Sequence, residues 1–439
     1  MYIKWITNED VDKIYLPISF QGKDVFSLEK INFHFGLWEK ELSVEYVDEL
    51  SDDVIGLSKN LIEDVFIPDD LFYEINTTEN SLSLGPVILY VVSEKLINRL
   101  YKLNKRFKKI LPFNGLIIVS SPSRIDIGNN TINGYYLHQP PNKKKSRWKN
   151  GVFPFPGAVF KRKNLPENVN KHLYEVTNGR VFNSDFFNKW KMWKWLSPNQ
   201  VVRSHIPHTI ELKSLAKIRD MLDIYPSIYL KPKSGSQGKG IIEIKRQGNL
   251  CKITDSKNSV SQVDSNSLSS HPIIKRLLKK KRKYIIQQGV PVQHDARNVD
   301  FRIYMQKDET KQWKCTGLIG RFAKPGSITT NLHHIDYILP GKKALEKFFS
   351  QDQHDLELIE QKIVNVCIDA CQTLDQHGCY GDLAIDFILN NDSHVWILEV
   401  NKRYGYKSFP IIKDFTLYGN VIRNPFLYAS ALAGFISNK

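Results

Sequence analysis

The segment from Gly381 to Asn401, GDLAIDFILNNDSHVWILEVN, most narrows the folds available to this chain of 439 residues. Two apolar runs flank NNDS, a cluster of turn-forming residues, so the segment predicts an antiparallel β-hairpin. If Asp392 and Ser393 form the tip, Asn391 pairs with His394. The hairpin then has one wholly apolar face and one face that carries polar side chains.

In that register two carboxylates face each other, because Asp386 lies opposite Glu399, with Asn401 two residues further on. The apolar face pairs Ile385, Phe387 and Leu389 with Val400, Leu398 and Trp396. Opposed carboxylates repel, so we expect a cation between them. Asp, Glu and Asn oxygens suit Mg²⁺ or Mn²⁺. The alternatives are a solvated pair on an exposed sheet face and a metal-free acid–base pair of the glycosidase kind.

A second segment, YLKPKSGSQGKGIIEI at residues 229–244, is rich in glycine and lysine. Its spacing fits neither a Walker P-loop nor a dinucleotide-binding fingerprint. Both flanks favour extended chain, so the segment predicts a strand–loop–strand hairpin whose tip, the flap, folds over a nucleotide. Three flap glycines would let backbone N–H groups approach phosphate oxygens. They are Gly235, Gly238 and Gly240. Lys231 would reach the same phosphates, and an ordinary exposed hairpin is the alternative.

The composition, 41% hydrophobic and 25% charged, is typical of a folded globular protein, and the length predicts two or three domains. Five cysteines without a CxxC pair indicate a reduced, cytoplasmic setting and argue against a zinc site. No run of about 18 apolar residues occurs, so no membrane span is predicted. The N-terminus also lacks the layout of a signal peptide.

The formal net charge of +16 implies affinity for an anionic partner. Nucleotide, acidic peptide, nucleic acid and membrane surface all fit that description. Much of the charge lies in lysine-rich runs at residues 102–109, 142–148 and 275–284. The simplest interpretation of these runs is solvated surface. Nothing resembles a zinc finger, an RRM or a KH loop, so nucleic acid is the least favoured partner.

The first ninety or so residues are predicted to be β-rich, and the pattern becomes mixed α/β from about residue 185. Strands are predicted within residues 13–20, 31–35, 41–47, 81–92 and 114–121. Residues 141–160 are predicted to form a loop rich in proline and lysine, with a strand or approach segment at its end. Residues 188–196 and 356–374 predict helices. The second helix carries an apolar stripe of Leu356, Ile359, Ile363, Cys367, Ala370 and Leu374. This stripe indicates core packing.

A lysine-bearing glycine flap, followed about 150 residues later by Asp…Glu-x-Asn on a hairpin, resembles the ATP-grasp superfamily. Within it, the chain is similar to the YheC/YheD group of endospore coat-associated proteins. The blocks of this resemblance are IYLKPKSGSQGKGI, YIIQQGVPV, DFRIYMQKD, WKCTGLIGRFAKPGSITTNLHH and VWILEVN. LGPVILYVV and WKNGVFPFPGAVFKR extend it to nearly the whole chain.

The resemblance implies a multidomain protein of α+β and α/β class. It implies a β-rich N-terminal domain at residues 1–95, a small α/β pre-ATP-grasp domain at residues 96–184 and an ATP-grasp domain at residues 185–439. In the ATP-grasp fold two α+β subdomains grip ATP between them.

The resemblance also implies site roles. The residues expected at the ATP phosphates are Lys189, Lys231, Gly235, Ser236, Gly238, Lys239 and Gly240. Those expected at the adenine hinge are Gln287, Gln288 and Val290. The expected catalytic residues, near the γ-phosphate or an acyl-phosphate, are Arg302, Arg321 and Asn331. The expected ligands of Mg²⁺ or Mn²⁺ are Asp386, Glu399 and Asn401. From the residues alone, the two arginines are cations in apolar strands that could equally mark salt bridges.

The chain departs from related ligases at two places. Ile335 and Asp336 stand where glycines are common, and Tyr404 stands where a proline is common. Both places lie near the expected entry of the acceptor substrate. The departures therefore bear on the substrate class and on turnover, and they leave the nucleotide site intact.

The leading functional hypothesis is an ATP-dependent carboxylate–amine ligase that acts through an acyl-phosphate. The basic surface would suit an acidic peptide as the acid or the acceptor. The alternatives are an ATP-binding structural protein of a spore coat or similar assembly, without turnover, and an ATP-grasp kinase. The expected location is cytoplasmic or spore-associated.

Overall fold

The computed structural model describes residues 1–7, 11–22, 28–138, 147–235, 238–290, 297–330, 334–349 and 353–436. The chain divides into two compact units. Unit 1 consists of Met1–Ser184, Lys307–Gln312 and Gly419–Lys439, and unit 2 of Asp185–Gln306 and Trp313–Tyr418. Over the described ranges the architecture is mixed α+β, with a β-rich N-terminal region. The division into three domains drawn from the sequence stays a prediction.

Unit 1 begins with a seven-stranded sheet in the order β1-β5-β2-β4-β3-β7-β6. Its strands are β1 Tyr2–Ile6, β2 Lys13–Pro17, β3 Lys30–Phe35, β4 Trp38–Val47, β5 Val54–Ser58, β6 Glu74–Thr78 and β7 Ser81–Gly85. In β3 the alternate residues Ile31, Phe33 and Phe35 are buried. This two-residue period is that of a strand with one face on the core.

The second sheet of unit 1 has the order β10-β11-β9-β8-β13-β14, with β12 paired to β11. Its strands are β8 Val87–Val91, β9 Leu116–Ser120, β10 Ile125–Asp126, β11 Thr131–His138, β12 Arg147–Pro154, β13 Ala158–Lys161 and β14 Val181–Phe182. The helices are α1 Glu94–Ile97, α2 Asn104–Ile110 and α3 Glu167–Val176. Every residue of β9 is buried, as predicted for an interior strand.

Two predictions for unit 1 were wrong. Residues 81–92 form two strands in different sheets, because Pro86 has no N–H with which to continue a ladder. The predicted loop at residues 141–160 contains β12, which pairs with β11 over eight residues, although β13 does begin at the end of this segment as predicted. Residues 139–146 lie outside the described part of the chain.

Unit 2 contains a six-stranded sheet in the order β15-β20-β16-β17-β18-β19. Its strands are β15 Thr209–Glu211, β16 Ser227–Pro232, β17 Ile242–Gln247, β18 Leu250–Asp255, β19 Val260–Asp264 and β20 Tyr284–Gln288. Two helices precede the first strand of this sheet, α4 Lys189–Leu196 and α5 Gln200–Arg203. Two more lie between its strands in the chain, α6 Leu215–Ile224 and α7 Pro272–Lys279. Helix α4 lies within the predicted residues 188–196.

A five-stranded sheet completes unit 2, in the order β23-β22-β21-β24-β25. Its strands are β21 Val299–Lys307, β22 Trp313–Ala323, β23 Ile335–Pro340, β24 Asp382–Leu389 and β25 Val395–Asn401. The remaining helices are α8 Gly341–Phe349, α9 Gln353–Asp375, α10 Phe409–Ile412 and α11 Phe415–Leu432, the last of which continues into unit 1. Across the residues that the structure describes, no helix has the length and apolar character needed to span a membrane.

Helix α9 covers the core of the five-stranded sheet. The predicted stripe is buried throughout: it consists of Leu356, Ile359, Ile363, Cys367, Ala370 and Leu374. Leu358, between stripe positions, is 59% exposed. The three- and four-residue spacing therefore does mark the buried face.

We predict that Leu374→Ala lowers the free energy of unfolding by about 2–5 kcal/mol, because it removes a fully buried side chain and leaves a cavity. The matched control is Leu358→Ala on the same helix, which should change stability by less than about 0.5 kcal/mol. Urea denaturation followed by fluorescence measures both. Equal losses in the two variants would contradict the assignment of the buried face.

Candidate functional site

Unit 2 contains a cavity of about 890 Å³ that is lined by residues of both its sheets. Ligand sites in proteins typically have volumes of roughly 300–1,000 Å³. The six-stranded sheet and the flap contribute Tyr229, Lys231, Gly238, Ile241, Gln287 and Gln288. The five-stranded sheet contributes Asp300, Arg302, Arg321, Asp386, Leu398, Glu399 and Asn401. The cavity thus gathers most of the residues singled out in the sequence.

The carboxylate hairpin is formed by β24 and β25, and Asp386 lies opposite Glu399 as predicted. The predicted tip was wrong. The hairpin turns through Asn391, Asp392 and Ser393, so Asn390 rather than Asn391 pairs with His394. Ser393 adopts a left-handed conformation with φ +57°, and the Asn390 side chain accepts a hydrogen bond from the His394 N–H at 2.7 Å. A loop of this length commonly ends on a left-handed residue.

A β-bulge between Asp386 and Phe387 compensates for the longer loop. Phe387 pairs with Ile397 and not with Leu398, which lines the cavity. Leu389 pairs with Val395 rather than with Trp396, so the predicted apolar pairing was wrong beyond the bulge. The extra residue shifts the register by one, and the two carboxylates still face each other.

Asp386 is held by two guanidinium groups and one amide. Arg302 donates to both carboxylate oxygens, at 2.7 and 2.8 Å, and Arg321 Nη2 lies 3.2 Å from Oδ1. Asn401 Nδ2 donates to Oδ2 at 3.2 Å. Burial alone would raise the pKa of Asp386, but the two arginines lower it to about 2. Asp386 is therefore an anion at every physiological pH.

A second buried ion pair adjoins the first. Arg321 donates to both oxygens of Asp300 at 2.6 Å, and the Thr330 hydroxyl donates to the same carboxylate. Burial raises the pKa of Asp300, and Arg321 opposes that shift. Asp300 lines the cavity and was missed in the sequence. The signal was available, because Asp300 and Arg302 are two residues apart and so share one face of β21.

Two lysines face these carboxylates. Lys189 Nζ lies 2.9 Å from Glu399 Oε1 and donates to the Gly235 carbonyl at 3.3 Å. Lys231 Nζ donates to Gln287 Oε1 at 2.5 Å. Burial, reinforced by the charge of Lys189, lowers the pKa of Lys231 to about 8. Burial makes the positive charge of Lys231 unfavourable, so an anionic ligand would stabilise this cation more than it would an exposed one.

The flap is a strand–loop–strand hairpin, because β16 and β17 pair antiparallel from Ser227↔Lys245 to Leu230↔Ile242. Gly238 and Gly240 have φ +68° and +76°, values that residues with a Cβ rarely adopt. Lys239 is exposed. Ser236, another expected phosphate-binding residue, lies outside the described residues.

The expected adenine hinge consists of the last two residues of β20 and Val290 just beyond it. The N–H groups of Gln288 and Gly289 donate to the carbonyls of His208 and Ser227, both at 2.8 Å. The Gln287 amide links Lys231 to Thr209. These contacts fix the strand end, and Val290 lines the cavity beside Ile388 and Leu398. The hinge thus offers the cavity a partly apolar wall.

The part of the cavity lining that follows β25 contains residues to which the sequence analysis assigned no role. Arg403 and Lys407 line the cavity, and both side chains are exposed. Tyr404 is buried, donates through its hydroxyl to Asp382 and packs on the Tyr304 ring at 5.2 Å. Tyr404, which stands where related ligases commonly have proline, thus forms part of the cavity wall. Nothing in the local sequence marks Arg403 and Lys407, because residues of these two types usually lie on the protein surface.

The second departure comprises Ile335 and Asp336 on β23. Ile335 lines the cavity, whereas Asp336 pairs with Arg297. Asn331, expected to be catalytic, lies outside the described residues. His334 Nδ1 lies 2.9 Å from the Thr329 hydroxyl.

The expected metal ligands consist of two carboxylates and one amide on adjacent strands. Within the described residues, no group of three or more His, Cys, Asp and Glu side chains is arranged to hold a metal ion. Asp386, Glu399 and Asn401 nevertheless form a hard oxygen set of the kind that Mg²⁺ shares with phosphates. The cations that now contact the carboxylates, Arg302 and Lys189, indicate that the pair needs positive charge. This donor set fits a divalent cation.

The chain has matches among known protein families, known proteins and solved structures. A model of the YheC/D-like ATP-grasp family matches residues 178–432. The chain is similar to endospore coat-associated protein YheD of Bacillus subtilis (strain 168), at 23% identity over 96% of this chain and 93% of that protein. Its identity to YheC of the same organism is 24% over 50% of this chain and 60% of that protein.

Among solved structures, the crystal structure of VanG D-Ala:D-Ser ligase from Enterococcus faecalis aligns with a TM-score of 0.45 and 14% identity. The alignment covers 78% of this chain and 98% of that chain.

We predict that the stability gained by Lys231→Met depends on pH. The pKa of Lys231 is about 8 when folded, against an ordinary value of 10.5, so below pH 8 the folded protein bears a costly buried charge. Between pH 8 and 10.5 the unfolded chain binds more protons than the folded protein, so wild-type stability rises with pH. The advantage of the variant should therefore be largest near pH 7 and shrink towards pH 10.

Urea unfolding of both proteins across this range measures the difference, and the exposed Lys213→Met gives the baseline at each pH. A difference for Lys231→Met that stays constant relative to this baseline would contradict the prediction.

Proposed function

Because this chain belongs to the YheC/D-like ATP-grasp family, we propose that it is an ATP-dependent ligase that joins a carboxylate to an amine. One observation carries the proposal. Four cations, Lys189, Lys231, Arg302 and Arg321, line a single cavity together with an opposed carboxylate pair. The cations suit a polyphosphate, and the carboxylate pair would suit a divalent cation that offsets its charge.

The reaction has two steps. A carboxylate oxygen of the acid attacks the γ-phosphorus of ATP, and the bond from that phosphorus to the bridging oxygen breaks to release ADP. The amine then attacks the carbonyl carbon of the acyl-phosphate and loses a proton. The C–O bond to phosphate breaks, and an amide and inorganic phosphate remain.

The residues of the cavity have separate tasks in this scheme. Lys189 and Lys231 hold the phosphates, and the flap N–H groups, including those of Gly238 and Gly240, close over them. Arg302 and Arg321 stabilise the transferred phosphoryl group and then the tetrahedral oxyanion. The adenine lies against the hinge, near Gln287, Gln288 and Val290.

Asp386, Glu399 and Asn401 would hold Mg²⁺ or Mn²⁺. When bound, such an ion supplies charge that offsets the charge developing on the phosphoryl oxygens. Arg302 and Lys189 must then exchange carboxylate contacts for phosphate contacts. Both side chains already lie at the cavity surface.

The acid is proposed to carry more than one negative charge. Within the described residues, neither Arg403 nor Lys407 forms an ion pair at the acceptor end of the cavity. A second carboxylate on the acid would meet them there. An acidic small molecule and an acidic side chain of a peptide both satisfy this requirement.

A second candidate function is a coat-assembly protein that binds ATP without turnover. The observation that favours it is the description of both Bacillus subtilis relatives as endospore coat-associated. On this account the protein is cytoplasmic before it joins a spore layer. Nucleotide binding without ADP release across a broad panel of acids and amines would favour it over the ligase.

We predict that Glu399→Gln lowers the rate of ADP release by about 100-fold or more, because it removes one of the two charges proposed to hold the metal ion. Coupled-enzyme detection of ADP against a panel of acids, amines and peptides measures the rate. Asp386→Asn should be inactive as well, although it also leaves two buried arginines short of a counter-ion.

The control is Glu346→Gln, an exposed residue of α8, which should retain wild-type activity. Full ADP release by Glu399→Gln with unchanged dependence on Mg²⁺ would refute the metal-site assignment. Silence of the wild type across the panel would count against the ligase itself.

We predict that Arg403→Ala and Lys407→Ala each raise KM for the best acid of the panel about tenfold, with little change in kcat. The reason is that these residues are proposed to contact a part of the acid that does not react. Initial rates at varied acid concentration separate the two parameters. The matched control is the exposed Lys342→Ala. A loss in kcat alone would indicate a role in chemistry and not in binding.

A further inference from the structure

The most concentrated charge on the described surface lies between α7 and β20. Residues 275–283, here called the basic segment, contain seven cations in nine positions, and all seven are exposed. They are Lys275, Arg276, Lys279, Lys280, Lys281, Arg282 and Lys283. This run is not part of the cavity, so the proposed ligase chemistry does not account for it.

Within the described residues, none of the seven cations has a carboxylate partner within 4.0 Å. Other cations in this part of unit 2 do form ion pairs: Arg246 contacts Asp223 at 2.6 Å, and Lys233 contacts Glu211. Seven neighbouring positive charges repel one another, and only an external anion offsets that repulsion fully. The segment therefore has the electrostatic character of a docking surface.

The fold holds the basic segment in place from beneath. Ile274 and Leu277 are buried in the core of the six-stranded sheet, and Ile273 and Leu278 pack against the same core. The cations Lys275, Arg276 and Lys279 take the opposite side of the helix. The charges are thus presented by an anchored element and not by a free loop.

The basic segment leads directly to the flap. The Lys233 N–H donates to the Lys283 carbonyl at 2.8 Å, and Pro232 pairs with Tyr284. The flap follows Lys233, and the next residue of β20 pairs with the cavity lysine Lys231. A chain lying along the basic segment would therefore arrive beside the mouth of the cavity.

The same structure argues against two other anionic partners. The apolar residues of α7 are engaged with the core, so no apolar face remains for insertion into a membrane interface. No aromatic residue occurs between positions 275 and 283, so the stacking that holds single-stranded nucleic acid has no platform there. An acidic polypeptide needs only spaced positive charge.

We propose that the basic segment docks an acidic peptide chain and presents one of its carboxylate side chains to the cavity. The presentation of a carboxylate for reaction rests on the proposed ligase function. The docking of the peptide chain does not require turnover. Peptide binding is then separate from acid recognition by Arg403 and Lys407. The basic segment sets affinity for the chain, and the cavity selects the reacting group.

The test compares two triple charge reversals that change the net charge equally. Lys275→Glu/Arg276→Glu/Lys279→Glu alters the basic segment. Lys102→Glu/Lys105→Glu/Lys108→Glu alters exposed lysines of unit 1 and serves as the control. Fluorescence anisotropy with a labelled polyglutamate peptide of about ten residues measures Kd. We expect the first variant to raise Kd about tenfold or more, and the control to change Kd less than about threefold. The difference between the first variant and wild type should become smaller as the salt concentration rises.

Equal losses in both variants would show that net charge alone binds the peptide and would overturn the proposal. An unchanged Kd in the first variant would do the same. Oligothymidine of about ten nucleotides and phosphatidylserine vesicles are run in parallel. If either binds more tightly than the peptide and loses affinity in the first variant, the occupant is a nucleic acid or a membrane and the proposal is wrong.

A separate readout distinguishes this proposal from the ligase proposal. In the first variant, ADP release driven by a small free acid should stay within about twofold of wild type, whereas release driven by the peptide should show a raised KM. Peptide binding that depends on the basic segment, without any ADP release, would refute the ligase and leave the docking surface standing.

Discussion

The pair formed by Arg302 and Asp386 is the interaction on which the site depends. It joins β21 to β24 through two charge-assisted hydrogen bonds, and Asp386 lies opposite Glu399 on β25. Removing one partner of such a buried pair typically costs about 3–5 kcal/mol, because the other charge is left uncompensated. The pair therefore fixes three strands in register while it keeps a carboxylate ionised inside the fold. In the proposed reaction, ligand binding would exchange the ionic partners of these side chains rather than bury new charge.

The balance of charge explains why the cavity is suited to a polyanion. Among the described residues, six cations and three carboxylates line it: Lys189, Lys231, Arg302, Arg321, Arg403 and Lys407 against Asp300, Asp386 and Glu399. Burial lowers the pKa of Lys231, which lies on the strand that enters the flap, so in the proposed reaction the element that closes over the nucleotide also carries a charge that an anionic ligand would stabilise. The basic segment extends the same sign of charge from the flap along the surface. The basic segment thus lies next to the strand that carries Lys231.

The sequence predicted the features that arise from local periodicity. The α9 stripe, the flap hairpin and the Asp386–Glu399 pairing all follow from repeats of three to four or of two residues. The errors arose where one backbone detail decides the outcome, at Pro86 and in the turn before His394. Asp300 was missed although its two-residue spacing from Arg302 places both on one face of β21, because its ion-pair partner Arg321 lies on a different strand. Arg403 and Lys407 acquire meaning only because the chain after β25 turns back to line the cavity.

The bulge beside Asp386 has a consequence for how this hairpin can change over evolution. A one-residue irregularity that sits between the turn and the carboxylates absorbs a change in loop length before it reaches the site. The tip, with its exposed Asn391 and Asp392, can therefore accept an insertion or a deletion while the paired acids keep their positions. The positions of the two acids are thus set by the strands and not by the turn.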